Sequence, residues 1–415
     1  MHIAIVGPIA VADLKPVLGA VVRDLPAGHG GAPLMAALIQ ELLQLGHTVT
    51  GVTQDASLPL HGSGIVRYSQ GSLSLSICPC RPRAWAFNGR QPGRIVDFFR
   101  FERRLIEAEL RRAMPDIVHA HWAYEYGLAG LATGLPTLVT LHDDPVVVLK
   151  HTRSPYRALR LLMANRAMRQ ARHLTAPSDY LAAALQLRCE SPITVVPNPL
   201  ADYVVDRARS KVAPQSLRLA MICNGWDRRK NPQLGIAGFQ RFRANAPRAE
   251  LHLYGYGFGH GQQASKWAQS HGMADGCVFH GSTPHRELID QLSSMDVLLH
   301  PSREESFGVV IAEAMCLGLN VVAGRSSGAV PWVLSSGNND PSTQDVGSSL
   351  GMLVDVEDSA SIATGIAAAF LDGGYAERSE RGMEKALRCF SPEAVGRAYQ
   401  ELYESVLRES RGDKR

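Results

Sequence analysis

Two glutamates with seven residues between them bracket the segment of this chain best suited to chemistry. In HPSREESFGVVIAEAMCLGLNVVAG, residues 300–324, Glu305 stands just before an apolar run and Glu313 inside it. Val309, Val310, Ile311, Ala312, Ala314 and Met315 surround Glu313, so a helix starting near Phe307 is expected to be buried almost all round. An ionised carboxylate there is costly unless it is paired or hydrogen-bonded. Eight residues of helix would set the two carboxylates ~12 Å apart along the axis. Between them, the backbone N–H groups of Ser306, Phe307 and Gly308 would sit at the positive end of the helix dipole, with Gly308 admitting close approach. A ligand matching this pattern has hydroxyls at both ends and an anionic centre, as a hexose, diphosphate and ribose joined in a nucleotide sugar do. An ordinary N-terminal charge at 305 and a satisfied core carboxylate at 313 would show the same spacing.

Other candidate groups are scattered. NGWDRRKNPQLGIAGF, 224–239, is a basic turn ahead of a helical pattern, with Lys230 and either Arg228 or Arg229 able to neutralise phosphate. Gly28-His29-Gly30-Gly31 precedes another helical pattern, and glycines there would let backbone approach a ligand that a Cβ would block. DIVHAHW places His119 and His121 on one face of a strand, His119 as a core histidine satisfied by backbone and His121 at the carboxyl end. His142-Asp143-Asp144 ends the next strand. Its adjacent carboxylates form a D-D-P turn rather than a metal motif, and seven scattered cysteines suggest no zinc site.

The elements that must position these groups alternate. Short β-branched runs at 2–7, 47–53, 73–79, 116–122, 136–142, 173–178 and 193–198 are separated by helical patterns at 31–45, 95–113, 124–132, 155–172 and 179–187. A second series follows at 217–225, 249–255, 277–281, 296–302, 320–324 and 349–355. Such repeated βαβ units make parallel sheets buried on both faces. Periodicity lapses at 199–216, a linker, and Ser391-Pro392-Glu393 starts a final helix over roughly 392–409.

The run E-SFGVVIA-E followed by AMCLGLNVVA resembles the donor-binding motif of the retaining family-4 glycosyltransferases. The resemblance implies the GT-B fold: α/β, two Rossmann-like doubly wound domains facing a central cleft. The expected division is an acceptor domain at 1–203, joined by a return helix at 392–415, and a donor domain at 204–391. It further implies that Glu305 contacts hydroxyls of the donor sugar, Glu313 the ribose, and Ser306, Phe307 and Gly308 the diphosphate. Arg229 and Lys230 would clamp the phosphates, with Gly30 and Gly31 nearby and His121 on the donor sugar. His121, Glu305 and Lys230 are then the catalytic candidates, and His142 and Asp143 the acceptor-binding ones. Two departures stand out: Trp226, after Gly225, occupies the place of the family's arginine, leaving Arg228 or Arg229 for that role, and Trp332 replaces a glutamate in SSGAVPWVL, 326–334, where relatives touch the sugar. No metal and no cofactor is expected, only a UDP- or GDP-linked sugar as co-substrate and a saccharide or lipid-linked acceptor.

Composition narrows the field. At 415 residues, 45% apolar and 20% charged, the chain is neither disordered nor fibrous. Residues 1–200 carry 20 Lys and Arg against 14 Asp and Glu, and the remainder 23 against 25. That excess favours an anionic partner for the first half. The segment 155–172, with Arg157, Arg160, Arg166, Arg169 and Arg172 beside Leu159, Leu161, Leu162 and Met163, could lie on an anionic membrane. Interleaved stacking aromatics are missing from the basic stretches, so nucleic acid is not expected. The N-terminus reads directly into a strand without a signal peptide, so a cytoplasmic location, with contact to the inner face of the membrane, is expected. The competing readings are a GT-B nucleotide-sugar epimerase and a non-catalytic sugar-binding protein.

Overall fold

The computed structural model describes residues 1–31, 33–61, 64–214, 217–336 and 349–412. Parts of the expected helix at 31–45, the linker and the C-terminal segment (Ala32, 215–216 and 413–415) lie outside them. The chain divides into two compact units: Met1–Pro177 with Leu181–Ala201 and Pro392–Arg415, and Ser178–Tyr180 with Asp202–Ser391. No helix among the described residues is long and apolar enough to cross a membrane.

The first unit is built on eight strands: β1 (His2–Val6), β2 (Thr48–Asp55), β3 (Val66–Gln70), β4 (Leu73–Pro79), β5 (Ile117–His121), β6 (Thr137–Thr140), β7 (His173–Ala176) and β8 (Ile193–Val195). They lie in the order β3-β4-β2-β1-β5-β6-β7-β8. All neighbours are parallel except β3 with β4. The sequence pattern missed β3, VRYSQ, because it is a partly exposed edge strand without the apolar run of its neighbours. The stretch 8–27, to which the sequence pattern assigns no element, forms short helical turns over Val11–Leu14, Lys15–Leu18 and Gly19–Arg23. The helix Pro392–Ser410 inserts Val395, Tyr399, Tyr403 and Val406 into this unit's core.

The second unit has six parallel strands: β9 (Arg218–Ile222), β10 (Glu250–Tyr254), β11 (Cys277–Gly281), β12 (Val297–His300), β13 (Asn320–Gly324) and β14 (Met352–Val354), in the order β11-β10-β9-β12-β13-β14. Strand order reverses between β1 and β5 in one sheet and between β9 and β12 in the other. Loops leaving the carboxyl ends at such points frame ligand sites.

One buried ionic network ties the loop after β4 to the helix Arg100–Ala113. The Arg81 side chain is fully buried; its Nε and Nη2 donate to the two Glu102 oxygens at 2.9 and 2.6 Å, and both terminal nitrogens reach Asp97. Glu102→Ala leaves the partly exposed Asp97 as the nearest remaining carboxylate and is expected to cost ~3 kcal/mol, since removing one member strands a buried charge. Urea denaturation followed by circular dichroism measures this, and a change below ~0.5 kcal/mol would contradict it.

Candidate functional site

In the second unit the loops after β9 and β12 meet. Asn231, 1% exposed and left-handed at φ 54, opens the helix Pro232–Arg243, and its side-chain amide donates to the carbonyls of Pro301 and Val356 at 3.2 and 2.8 Å. Arg303 N–H donates to Arg229 O at 2.8 Å, and the Arg229 guanidinium to Glu304 O at 3.2 Å. These bonds hold Lys230 against Glu305: Lys230 Nζ donates to Glu305 Oε1 at 2.6 Å. His300 Nε2 lies 3.0 Å from the same oxygen and must carry its proton, because a carboxylate only accepts. Burial alone would raise the Glu305 carboxyl, but the Lys230 ammonium and the His300 hydrogen bond hold it well below the usual carboxylate range. Its Oε2 makes no hydrogen bond among the described residues. The Nδ1 of His300 and the hydroxyls of Ser302 and Ser327 are also buried without a partner.

The helix itself starts later than the sequence pattern suggested. It spans Val309–Cys316, and Gly308, at φ 86, is its N-cap. An L side chain rarely adopts that conformation, so this glycine decides where the helix begins. Only four of the eight residue steps between Glu305 and Glu313 are helical, ~6 Å of axis, so the continuous ~12 Å of helix expected between them is not formed. The open first-turn amides are correspondingly those of Val309 and Val310 rather than of Ser306 and Phe307. Ser306 O accepts from Ser178 Oγ at 2.6 Å. The Phe307 ring is buried edge-on against Phe390, so this side chain serves the core.

Glu313, 4% exposed, is paired through one oxygen: His285 Nε2 lies 2.8 Å from its Oε1, and His285 Nδ1 lies 2.6 Å from the Tyr203 hydroxyl. Neither partner was visible in the sequence, since His285 lies in a polar helix 28 residues upstream. Trp332, in place of the expected glutamate, donates its indole N–H to Asp179 at 2.7 Å.

In the first unit, three imidazoles gather at the carboxyl ends of β5 and β6. His119 is satisfied by side chains rather than by backbone: Nδ1 lies 2.7 Å from Tyr403 Oη and Nε2 2.6 Å from Thr140 Oγ1. His121 Nδ1 lies 2.9 Å from His142 Nε2, and its own Nε2 is buried without a partner. The His142 ring packs at a tilt, 4.1 Å between centroids, against Trp122, whose φ of 68 is strained for a bulky residue. Asp143 turns instead to the Tyr124 hydroxyl, 2.9 Å away. The glycines divide by cause. A Cβ on Gly28 would stand 2.3 Å from Ile9 O, so internal packing explains it, whereas nothing lies within 4 Å of a Cβ on Gly30 or Gly31. Arg160 is not on a membrane face: it pairs with Glu125 at 2.9 Å and lies 3.9 Å over the Tyr124 ring.

Two doubly wound parallel sheets of this order make the chain a GT-B protein. Its structural neighbours include sucrose-phosphate synthase from Thermosynechococcus elongatus, with a TM-score of 0.70 at 18% identity over 99% of this chain and 100% of that one. Another is Anabaena Alr3699/HepE in complex with UDP-glucose, with a TM-score of 0.64 at 16% identity over 98% of this chain and 100% of that one. The family model Glycosyltransferase Family 4 matches residues 29–201, and that for Glycosyl transferases group 1 matches residues 209–386. The chain belongs to this glycosyltransferase family. The D-inositol 3-phosphate glycosyltransferase of Xylanimonas cellulosilytica is 32% identical over 132 residues, 32% of this chain. The lipopolysaccharide core biosynthesis mannosyltransferase LpsB of Rhizobium meliloti is 30% identical over 139 residues, 33% of this chain. These matches span only 29% and 36% of the two relatives' lengths.

Burial pushes His119 and His142 down to about 3 and His121 well below its ordinary value, so all three are neutral near pH 7. Unfolded imidazoles titrate near ~6.5, so between that value and about 3 the unfolded state binds more protons. The first unit is therefore expected to lose stability as pH falls through that window, by up to ~1.4 kcal/mol per pH unit for each imidazole. Urea midpoints at neutral and mildly acidic pH, read from its tryptophan signal, check this; equal midpoints would contradict it.

Proposed function

We propose that this protein is a retaining, metal-independent glycosyltransferase that moves a hexosyl group from a nucleoside diphosphate sugar to a saccharide or lipid-linked acceptor. The observation that carries the reading is the Glu305 carboxylate, ionised at the carboxyl end of β12, with one oxygen held by Lys230 and His300 and the other unbonded. In this reading the unbonded oxygen accepts hydrogen bonds from donor-sugar hydroxyls. Lys230 has three N–H donors and uses one on Glu305, leaving two for the diphosphate. Arg229 adds positive charge beside it, the Val309 and Val310 amides add donors, and Glu313, set by His285, takes the ribose.

In the reaction the bond between the anomeric carbon and the diphosphate oxygen breaks, and its electron pair leaves with the phosphate. The acceptor hydroxyl attacks from the same face, and its proton passes to the departing phosphate oxygen. Lys230 and Arg229 supply the positive charge that a metal ion would otherwise bring to the leaving group. The similarity to LpsB supports a place in surface polysaccharide or glycolipid synthesis.

The test is product analysis with UDP-glucose as the first donor probe and a panel of acceptor sugars. The anomeric configuration of the product is read by NMR, and the assay is repeated after chelator treatment. Retained configuration and chelator-insensitive turnover are expected. Lys230→Ala and Glu305→Ala should each lower turnover ~10²–10³-fold while leaving circular dichroism unchanged. Wild-type turnover by either folded variant would refute its role, and an inverted product would refute the stereochemistry.

A further inference from the structure

A cavity of about 420 Å³ opens inside the first unit beside the Gly28–His29 turn. Its walls include Gln54 from the end of β2, Arg94 and Phe99 from the loop before the helix Arg100–Ala113, and Tyr156, Arg157 and Arg160 from the helix Pro155–Gln170. The three guanidiniums are not equivalent. Arg160 is matched by Glu125. Arg94 and Arg157 make no salt bridge among the described residues; Arg94 gives one N–H to Arg81 O at 3.1 Å, and its Nε is buried without a partner. Gln54 is 3% exposed, and its Nε2 is likewise buried and unpartnered.

The carboxylates at this wall are already engaged. Asp55 accepts from Gly28 N–H at 2.9 Å and from the amide and hydroxyl of Ser57, and Glu102 is taken by Arg81. What remains is unmet donor capacity beside the aromatic side chains of Phe99 and Tyr156: Arg94 Nε and Gln54 Nε2 are buried without an acceptor, and Arg157 is half-buried and outside any salt bridge among the described residues. Buried donors without acceptors are costly until something accepts from them, and a planar guanidinium suits phosphate or carboxylate best. The volume falls in the range of small-molecule sites.

We propose that this cavity binds the acceptor, and that the acceptor is an anionic sugar carrying a phosphate or a carboxylate, gripped by Arg94 and Arg157 with its ring against Phe99 and Tyr156. The acceptor role rests on the glycosyl-transfer reading; the anion preference rests on the cavity alone. None of its residues was singled out in the sequence as acceptor-binding, because segments far apart in the chain assemble it.

Isothermal titration of the full chain with glucose 6-phosphate, glucuronate and glucose, each with and without UDP, tests the proposal. One or both anionic sugars should bind at least about tenfold more tightly than glucose and weaken at high ionic strength, and the tighter of the two identifies the anion. Arg94→Gln and Arg157→Gln should each weaken that binding about tenfold with unchanged circular dichroism. Equal affinity for glucose, or wild-type anion binding by both folded variants, overturns the proposal. UDP binding without any anionic-sugar binding overturns it and leaves the transfer reading standing. Anionic-sugar binding without UDP binding supports the cavity and counts against the transfer reading.

Discussion

A single carboxylate oxygen, Glu305 Oε1, receives both an ammonium and an imidazole N–H, and the second unit's site is organised around that convergence. Without Lys230 and His300, burial would push Glu305 toward its neutral form, and it could no longer offer a full negative charge to a hydroxylated ligand. The fold supplies the convergence through neighbouring strands. Because β9 pairs with β12, the loop that carries Lys230 lies beside the loop that carries Glu305, and Asn231 fastens the two through Pro301. Gly308 then turns the chain so that a helix starts immediately after the acidic loop. A lysine that pairs a carboxylate while keeping two donors to spare can serve phosphate and sugar recognition together.

The first unit solves the opposite electrostatic problem. At the ends of β5 and β6, burial strips three imidazoles of their charge and packs them against Trp122 and Tyr399. The result is a neutral, hydrogen-bonding wall. A few elements away, the helix Pro155–Gln170 and the loop before Arg100 gather Arg94, Arg157 and Arg160 around one cavity, and of these only Arg160 makes a salt bridge among the described residues.

Much of the fold was legible because buried parallel strands are continuous apolar runs, and every strand of that type was anticipated. β3 escaped because an edge strand with polar side chains carries no such run. At the site, Glu305 and Glu313 were readable from one short motif and Lys230 from a separate basic turn, yet their partners were not. His300 looked like the end of a strand, and His285 and Tyr203 sit in unrelated segments that only the fold brings to Glu313. The helix start was misplaced because apolar periodicity runs straight through Phe307, while the backbone obeys the left-handed Gly308. Arg160 read as part of a basic face because single-sequence periodicity does not reveal a buried glutamate 35 residues upstream.

The division of labour between Lys230 and Glu305 is tested most directly by calorimetric titration of UDP and UDP-glucose into the wild type, Lys230→Ala and Glu305→Gln. The account predicts that Lys230→Ala weakens both ligands, whereas Glu305→Gln leaves UDP affinity nearly intact and removes the extra affinity contributed by the sugar. Identical binding of both ligands by wild type and Glu305→Gln would contradict it.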